Sequence, residues 1–420
     1  LLLGLLILLG GSLQMSQARD AQPLTIQRVF GGGAFTRGLP GWSWRPGHAE
    51  MVRLTSKGRG KERRSLLVAR SPDAAAERTL LDLTSLAALV PGPGVRTRGI
   101  GRSGAPRYRW QADGKALCAV VKGDLVWVDF LSGAPRRLTE TKSPILDPRV
   151  SPDGRHIAFT REHDLHVVAT DGSSPPRALT TGGTPEVRNA SLDWVYPEEL
   201  SFDRAVWWAP NGQHLCYMQL DERKVPKHRL PNLMGRRGEG REMYYPRAGD
   251  PNPRARLGVV PVSGGPTVWL DLSSDKVEYV VRVAWTPDSS HMLVVTMDRL
   301  QQQLEVIACR LSDGRSLVLR RESDKAWIDA PPTPRFVSDH QYLWRTHIGD
   351  HESGAVRWVL VGTEDQHKGI ASYQVLTPDH IDAGRMLHFD AQEKTFFFEG
   401  TEHGKTDRLI YRGTVSEEPG

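Results

Sequence analysis

From Leu24 onward the apolar positions fall in short runs with the period of strands, and most of these runs follow a turn. His156–Thr160 (HIAFT), His214–Leu220 (HLCYMQL), His291–Met297 (HMLVVTM), Gln341–Thr346 (QYLWRT) and Thr395–Gly400 (TFFFEG) are such runs. The turns before them share a signature: Trp44-Arg45-Pro46-Gly47, Trp110-Gln111-Ala112-Asp113-Gly114, Val150-Ser151-Pro152-Asp153-Gly154, Trp208-Ala209-Pro210-Asn211-Gly212 and Trp285-Thr286-Pro287-Asp288-Ser289. Weaker echoes begin at Phe336 and Phe389. Proline fixes φ, Asp or Asn bonds to the nearby backbone, and glycine accepts positive φ, so the signature predicts tight turns. The aromatic residue before each turn is expected to close the inner edge of one sheet against its neighbour.

A second strand follows each of these runs, and two units match almost residue for residue: Gly123–Thr139 (GDLVWVDFLSGAPRRLT) and His163–Thr180 (HDLHVVATDGSSPPRALT). The period is about 40 residues where it is cleanest and stretches to roughly 50–77 where segments are inserted. Several strands per unit at this period predict an all-β fold, a β-propeller. The roughly 400 residues after the amino-terminal leader suffice for about eight blades of about 50 residues, the last of them incomplete. Glu77–Val90 has helical spacing and is expected to form a short helix or an irregular blade edge. Asp221–Arg256 lacks strand rhythm and is rich in Arg, Pro and Gly, which marks an inserted loop or arm on a contact face.

Ser191–Gly212 (SLDWVYPEELSFDRAVWWAPNG) sets two adjacent acids, Glu198 and Glu199, behind Asp193, Trp194, Tyr196 and Pro197 and ahead of one of the turn repeats. Taken alone it is an ordinary helix start. Pro197 suits the first helical position, and carboxylates in the first turn meet the helix dipole on a solvated face. An acid pair beside a central cavity would be a binding site instead.

Composition narrows the function classes. The formal charge is +6, from 55 Lys and Arg against 49 Asp and Glu. The basic runs Arg59–Arg64 (RGKERR) and Arg236–Arg241 (RRGEGR) are short and broken by Gly and Glu, so they read as solvated loops and not as a nucleic-acid surface. Cys118, Cys216 and Cys309 are far apart and sit in strand-like sequence, which predicts buried free thiols and no disulfide framework. His340, His347 and His351 lie close in sequence, but their spacing fits no strong metal site, so no metal and no cofactor is expected. Leu1–Leu9 is apolar and too short to span a bilayer, and Ser16 and Ala18 stand at signal-peptidase spacing before Arg19. Residues 1–18 are therefore expected to be a signal peptide truncated at its start, and the mature propeller, 19–420, to be exported to the periplasm or the extracellular space. A lipid anchor or an uncleaved membrane anchor is the alternative.

Asp193-Trp194-Val195-Tyr196-Pro197-Glu198-Glu199 resembles the Asp-Trp-Val-Tyr-Glu-Glu-Glu segment of the dipeptidyl peptidase IV group of the prolyl oligopeptidase family. The following strand and Val225-Pro226 turn, and then Tyr245–Pro253 (YPRAGDPNP), resemble the next two motifs of that family in the same order. The resemblance implies an eight-bladed propeller joined to a carboxyl-terminal α/β-hydrolase domain, with a cavity between them. It implies that Glu198 and Glu199 bind the free amino terminus of a peptide substrate, which a serine then cuts after the second residue. Pro197 stands where the family has a further Glu. The family's substrate-contacting arginine has no obvious counterpart in AVVKGDLVWVDF, nor is the family's aromatic-arginine pocket wall evident in Ala326–Arg335. The family often dimerises through a propeller arm, and Asp221–Arg256 is the candidate. Chemistry independently suits the assigned role, because two carboxylates can satisfy the several donors of a compact α-ammonium.

A serine hydrolase of this type needs a G-x-S-x-G elbow with Asp and His partners. Gly41-Trp42-Ser43-Trp44-Arg45 and Gly101-Arg102-Ser103-Gly104-Ala105 come nearest and both fail the pattern. No catalytic residue is assigned, and these 420 residues alone are not expected to cut peptides. Two expectations remain: the propeller portion of an exported dipeptidyl peptidase truncated at both ends, or a stand-alone propeller that binds peptides or proteins in the periplasm.

Overall fold

The computed structural model describes residues 41–74, 76–92, 108–231, 240–272, 277–348, 355–362 and 373–415. The leader 1–18, Gly101–Ala105, His351 and most of Arg236–Arg241 lie outside the described residues.

Among the described residues seven antiparallel sheets follow one another, with a separate two-stranded hairpin inserted in the fourth. Sheet I is Ser43–Trp44, Met51–Lys57, Arg64–Arg70 and Arg78–Asp82; sheet II is Tyr108–Trp110, Ala116–Val121, Asp124–Asp129 and Arg136–Arg137. Sheet III is Leu146–Val150, His156–Arg161, Asp164–Ala169 and Arg177–Ala178. Sheet IV pairs Val187–Asn189 and Val206–Trp208 with His214–Asp221, followed by Arg254–Pro261 and Val268–Trp269. Sheet V is Tyr279–Trp285, His291–Met297, Gln303–Arg310 and Ser316–Ser323; sheet VI is Arg335–Ser338, Gln341–Ile348, Ala355–Gly362 and Tyr373–Val375. Sheet VII has three strands, Ile381–Asp390, Thr395–Glu402 and Arg408–Thr414. Repeated four-stranded meanders are the blades of a β-propeller.

The turn signature has one geometry at four blades. The N–H of Gly114, Gly154, Gly212 and Ser289 donates to the carbonyl three residues back at 2.9 Å in each case. Each of these residues has φ between +65° and +73°. The side chains of Asp113, Asp153, Asn211 and Asp288 accept the backbone N–H two residues on, at 2.9–3.0 Å. The turns also touch across blades. A Cβ on Gly114 would lie 2.1 Å from the Pro46 carbonyl oxygen, and one on Gly212 would lie 3.3 Å from the Asp153 carboxyl carbon. The Asn211 N–H donates to Ser289 Oγ at 3.1 Å. Aromatics before the turns close the sheet edges at two places: Trp208 Nε1 donates to the Arg149 carbonyl at 2.9 Å, and Trp285 Nε1 to the Trp207 carbonyl at 3.1 Å. Trp44 behaves differently and is exposed. Its neighbour Arg45 makes the closure, donating from Nε to the Gly114 carbonyl at 2.8 Å and stacking on Trp110 and Phe130.

The matched units of sheets II and III owe their likeness to one buried device. Thr139 Oγ1 donates to Asp124 Oδ1 at 3.1 Å and accepts the Leu125 N–H at 2.9 Å. Thr180 Oγ1 donates to Asp164 Oδ1 at 2.7 Å and accepts the Leu165 N–H at 2.9 Å. The fourth strand is thereby locked onto the third at the D-L and L-T positions of the repeat.

Apolar clusters join each sheet to the next. Val52 and Leu67 of sheet I pack with Leu117 and Val126 of sheet II. Cys118 and Trp127 meet Ile157 and Phe159 between sheets II and III. Ala158 and Leu165 meet Leu215 and Tyr217 between III and IV. A larger cluster runs through sheets IV, V and VI, and Leu343 and Trp358 join sheet VI to Phe396 and Phe398 of sheet VII. Cys118, Cys216 and Cys309 are buried free thiols, and burial raises all three, Cys118 and Cys309 to about 12.

Two segments take a more definite form than their sequence reading gave them. Glu77–Val90 contains a strand, Arg78–Asp82, and a short 3-10 helix, Ser85–Leu89, whose Leu86 is buried in the first inter-sheet cluster. Within 221–256 the chain forms a hairpin of its own, Lys227–Pro231 paired with Gly240–Tyr244, projecting between two strands of sheet IV. Its strands are mostly exposed, so they needed no apolar alternation to form.

Candidate functional site

The innermost strand of sheet IV is broken. Asn189 lies opposite Gln219 and Val206 opposite Tyr217 on the same partner strand. The single residue between, Met218, bonds both sides of the gap: it accepts the Ala190 N–H at 2.8 Å and donates its own N–H to the Ala205 carbonyl at 2.9 Å. Residues 190–205 are therefore pushed out of the sheet as a loop closed at its base. That loop carries the short helix α1, Val195–Glu199.

Asp193 starts the helix, its Oδ1 accepting the Tyr196 N–H at 3.0 Å. Burial raises the Asp193 carboxyl above its ordinary range, against the lowering effect of these backbone bonds. Tyr196 anchors the helix from beneath. It is buried, its ring meets Phe202 edge-on with centroids 5.3 Å apart, and its hydroxyl accepts the Val280 N–H at 3.4 Å from sheet V. Arg282 Nη1 donates to the Leu200 carbonyl at 2.9 Å and holds the other end. Pro197 occupies the third helical position and not the first. An N–H there has no intrahelical partner either, so proline fits equally well.

Glu198 and Glu199 are both exposed on this helix. Glu199 lines a cavity of about 220 Å³, with Trp194, Arg247, Asn252, Tyr279 and Arg299 among its walls. Glu198 stands beside it and does not line it. Successive helical residues point about 100° apart, which separates the two side chains. The opposite wall is a bonded network. Asn252 Nδ2 donates to Glu278 Oε1 at 2.8 Å and to the Tyr279 hydroxyl at 2.9 Å, and Arg299 Nη1 donates to Glu278 Oε1 at 2.9 Å. Burial, and then the Glu278 and Glu199 carboxylates, push the Tyr279 hydroxyl up, so it stays protonated and available as a donor. Trp194 packs on Tyr245, with centroids 4.3 Å apart, and ties the helix to the segment that follows the hairpin. Asn252 and Arg247 fall in the Tyr245–Pro253 motif, but nothing in their sequence assigns them to a cavity wall. The fold does so by bringing that motif over the first strand of sheet V.

A second cavity, of about 420 Å³, lies where the first strands of sheets II to V converge, lined by Arg109, Arg149, Arg204, Trp207, Trp208 and Trp285 among others. Sequence reading missed this site, because its arginines come from three different blades. The region Ala326–Arg335 contributes no such wall: Trp327 is exposed, with Nε1 bonded to Asp329 at 2.9 Å. His340 and His347 are exposed, and no group of three or more His, Cys, Asp or Glu able to hold a metal occurs among the described residues. No helix among the described residues is long and apolar enough to cross a membrane. Ser43 lies in the first strand of sheet I, as the turn repeat implied.

Sheets of consecutive antiparallel strands, each packed on the next, with the first strands of sheets II to V about a common cavity, define the chain as a β-propeller. Residues 115–418 match the family model described as the dipeptidyl peptidase IV N-terminal region, and the chain belongs to that family. It is 26% identical over 276 residues to dipeptidyl aminopeptidase B of Saccharomyces cerevisiae, covering 62% of this chain and 33% of that protein. It is 25% identical over 274 residues to dipeptidyl peptidase 4 of Trichophyton tonsurans, covering 62% of this chain and 34% of that one. The chain thus spans about a third of the length of these curated relatives. The crystal structure of Porphyromonas gingivalis dipeptidyl peptidase 4 shares the fold with a TM-score of 0.73 at 20% identity, over 93% of this chain and 54% of that one.

Proposed function

We propose that the chain is the propeller part of an exported serine-type dipeptidyl peptidase, in which Glu198 and Glu199 hold the free amino terminus of a peptide while a carboxyl-terminal α/β-hydrolase domain of the full-length protein cuts it. The propeller would also gate access to that domain, and the hairpin Lys227–Pro231 with Gly240–Tyr244 would serve as a homodimer arm. The observation that carries this reading is the interrupted inner strand. The chain opens a sheet of the propeller to present a two-carboxylate helix, with Glu199 at the mouth of a cavity. An ammonium entering there meets Glu199 and the adjacent Glu198, and the Tyr279 and Asn252 groups can orient the peptide behind it.

Removing one partner of a charge pair weakens binding by about 2–5 kcal/mol when the pair is desolvated, and by less when water reaches it. Because both glutamates are exposed, Glu198→Ala and Glu199→Ala should each lower kcat/KM of the full-length enzyme on a dipeptide–chromogen substrate by about tenfold, less than a fully desolvated pair would give. Titration of this chain with a carboxyl-amidated peptide lacking acidic side chains, and with its amino-acetylated form, gives the direct test. The free amine should bind and the blocked one should not, and equal affinities would remove the amine anchor.

A further inference from the structure

We propose that the 420 Å³ cavity at the centre of the propeller is a carboxylate site, in which Arg109, Arg149 and Arg204 bind acidic peptides. The three arginines come from or next to the first strands of three consecutive sheets, II, III and IV, and all line the cavity. Two aspartates partner them. Asp147 accepts from Arg149 at 2.8 Å and from Arg109 at 3.5 Å, and Asp203 accepts from Arg204 at 2.8 and 3.1 Å. Arg149 also donates from Nη2 to the Asp203 carbonyl at 2.8 Å. Three guanidinium groups against two carboxylates leave one positive charge in excess.

Hydrogen-bond capacity is in excess as well. Arg149 Nε and Trp110 Nε1 are buried donors on cavity-lining residues, and neither has a protein acceptor. A buried donor left unpaired costs about 1–3 kcal/mol, so an acceptor brought within reach of either donor would be stabilised. Val150, Val206, Trp207, Trp208 and Trp285 also line the cavity, and their apolar surfaces lower the local dielectric and strengthen any ion pair formed there. The volume falls within the range of about 300–1,000 Å³ typical of small-ligand sites. Planar guanidinium groups match a carboxylate in two-point fashion. An acidic side chain and the carboxyl end of a peptide both offer this carboxylate, and the two sources can be told apart.

The test uses this chain and two probes with blocked amines, so that Glu198 and Glu199 are not engaged. Acetyl-tetraglutamate amide offers side-chain carboxylates, and acetyl-tetraalanine with a free carboxyl end offers a terminal one. Binding is followed by calorimetry and by the change in tryptophan fluorescence that occupation of a Trp-lined cavity produces. At least one probe should bind, more weakly as salt rises, while acetyl-tetraglutamine amide should not. Arg204→Gln alone and Arg109→Gln with Arg204→Gln should weaken binding at least tenfold. The single variant removes the most exposed of the three side chains, so it keeps the test intact if the double variant fails to fold. If neither probe binds, or if the folded Arg204→Gln protein binds as well as the parent, the site is a structural ion-pair network and the proposal falls. Neither result bears on the amine anchor, which the acetylated probes do not touch.

Discussion

Glu222 lies beneath the glutamate-bearing loop with 2% of its surface exposed, its Oε2 accepting a hydrogen bond from Arg188 Nη2. Burial pushes its carboxyl up to about 7, with Asp193 and Glu186 adding to the rise and Arg188 opposing it. In the unfolded chain the same group titrates near its ordinary 4.5. Between these values the folded protein holds a proton that the unfolded chain has released, so stability from this group is complete below about pH 4.5 and is lost as pH climbs through about 7. Denaturant midpoints measured from pH 4.5 to 7.5 should therefore fall less steeply with pH for Glu222→Gln than for the parent. Parallel pH profiles would show that Glu222 stays ionised in the folded state. Residues of this kind were silent in the sequence: Glu222 and Arg188 are ordinary strand-end charges until pairing between Val187–Asn189 and the end of His214–Asp221 buries them together. Glu198 and Glu199 were legible only through the order of three motifs, and that order could not tell which of the two faces the cavity.

At the scale of elements, the repeated turns were the most legible feature because their chemistry is local. An Asx side chain and a residue with positive φ next to each other, with a Pro before them in three of the four turns, define them whatever the rest of the chain does. What sequence does not show is that the turns also touch one another. Gly114 and Gly133 have nearly the same φ, +69° and +70°, yet a Cβ on Gly133 meets nothing within 4 Å whereas one on Gly114 strikes the Pro46 carbonyl. Gly133→Ala should cost about 1–2 kcal/mol from backbone strain alone. Gly114→Ala should cost that and at least about 1 kcal/mol more, because sheet I must move away. Thermal melts of the two variants make the comparison, and equal losses would mean that the inter-blade contact carries no energy. Two segments were legible only in outline, for the reverse reason. Leu80, Leu81 and Leu83 pack against an inter-sheet cluster while Leu86 fills it, a spacing that fits helix and strand equally. The hairpin at Lys227–Pro231 pairs with itself in solvent and leaves no buried face for periodicity to reveal.

Among the described residues the clusters form a series, each sheet sharing apolar contacts with its sequence neighbours and the largest cluster spanning sheets IV, V and VI. Repeat folds held this way have stabilities that depend on neighbouring interfaces, so sheets with a neighbour on each side resist opening more than those at the ends of the series. The strands differ accordingly. His291–Met297 is buried at six of its seven positions, whereas Arg408–Thr414 has no buried residue, and among the described residues it pairs only with Thr395–Glu402. Hydrogen exchange read by mass spectrometry should show slowest exchange in His214–Asp221 and His291–Met297 and fastest in Arg408–Thr414, with Ser43–Lys57 intermediate. The central placement of sheet IV explains how it tolerates a broken inner strand: the loop 190–205 is closed at Met218 and backed by the cluster that joins it to sheet V. A protein in which peptides carrying His214–Asp221 exchanged as fast as those carrying Arg408–Thr414 would have a loosely held glutamate helix. It could not present Glu198 and Glu199 in a fixed geometry, so this measurement also tests the rigidity that an amine anchor requires.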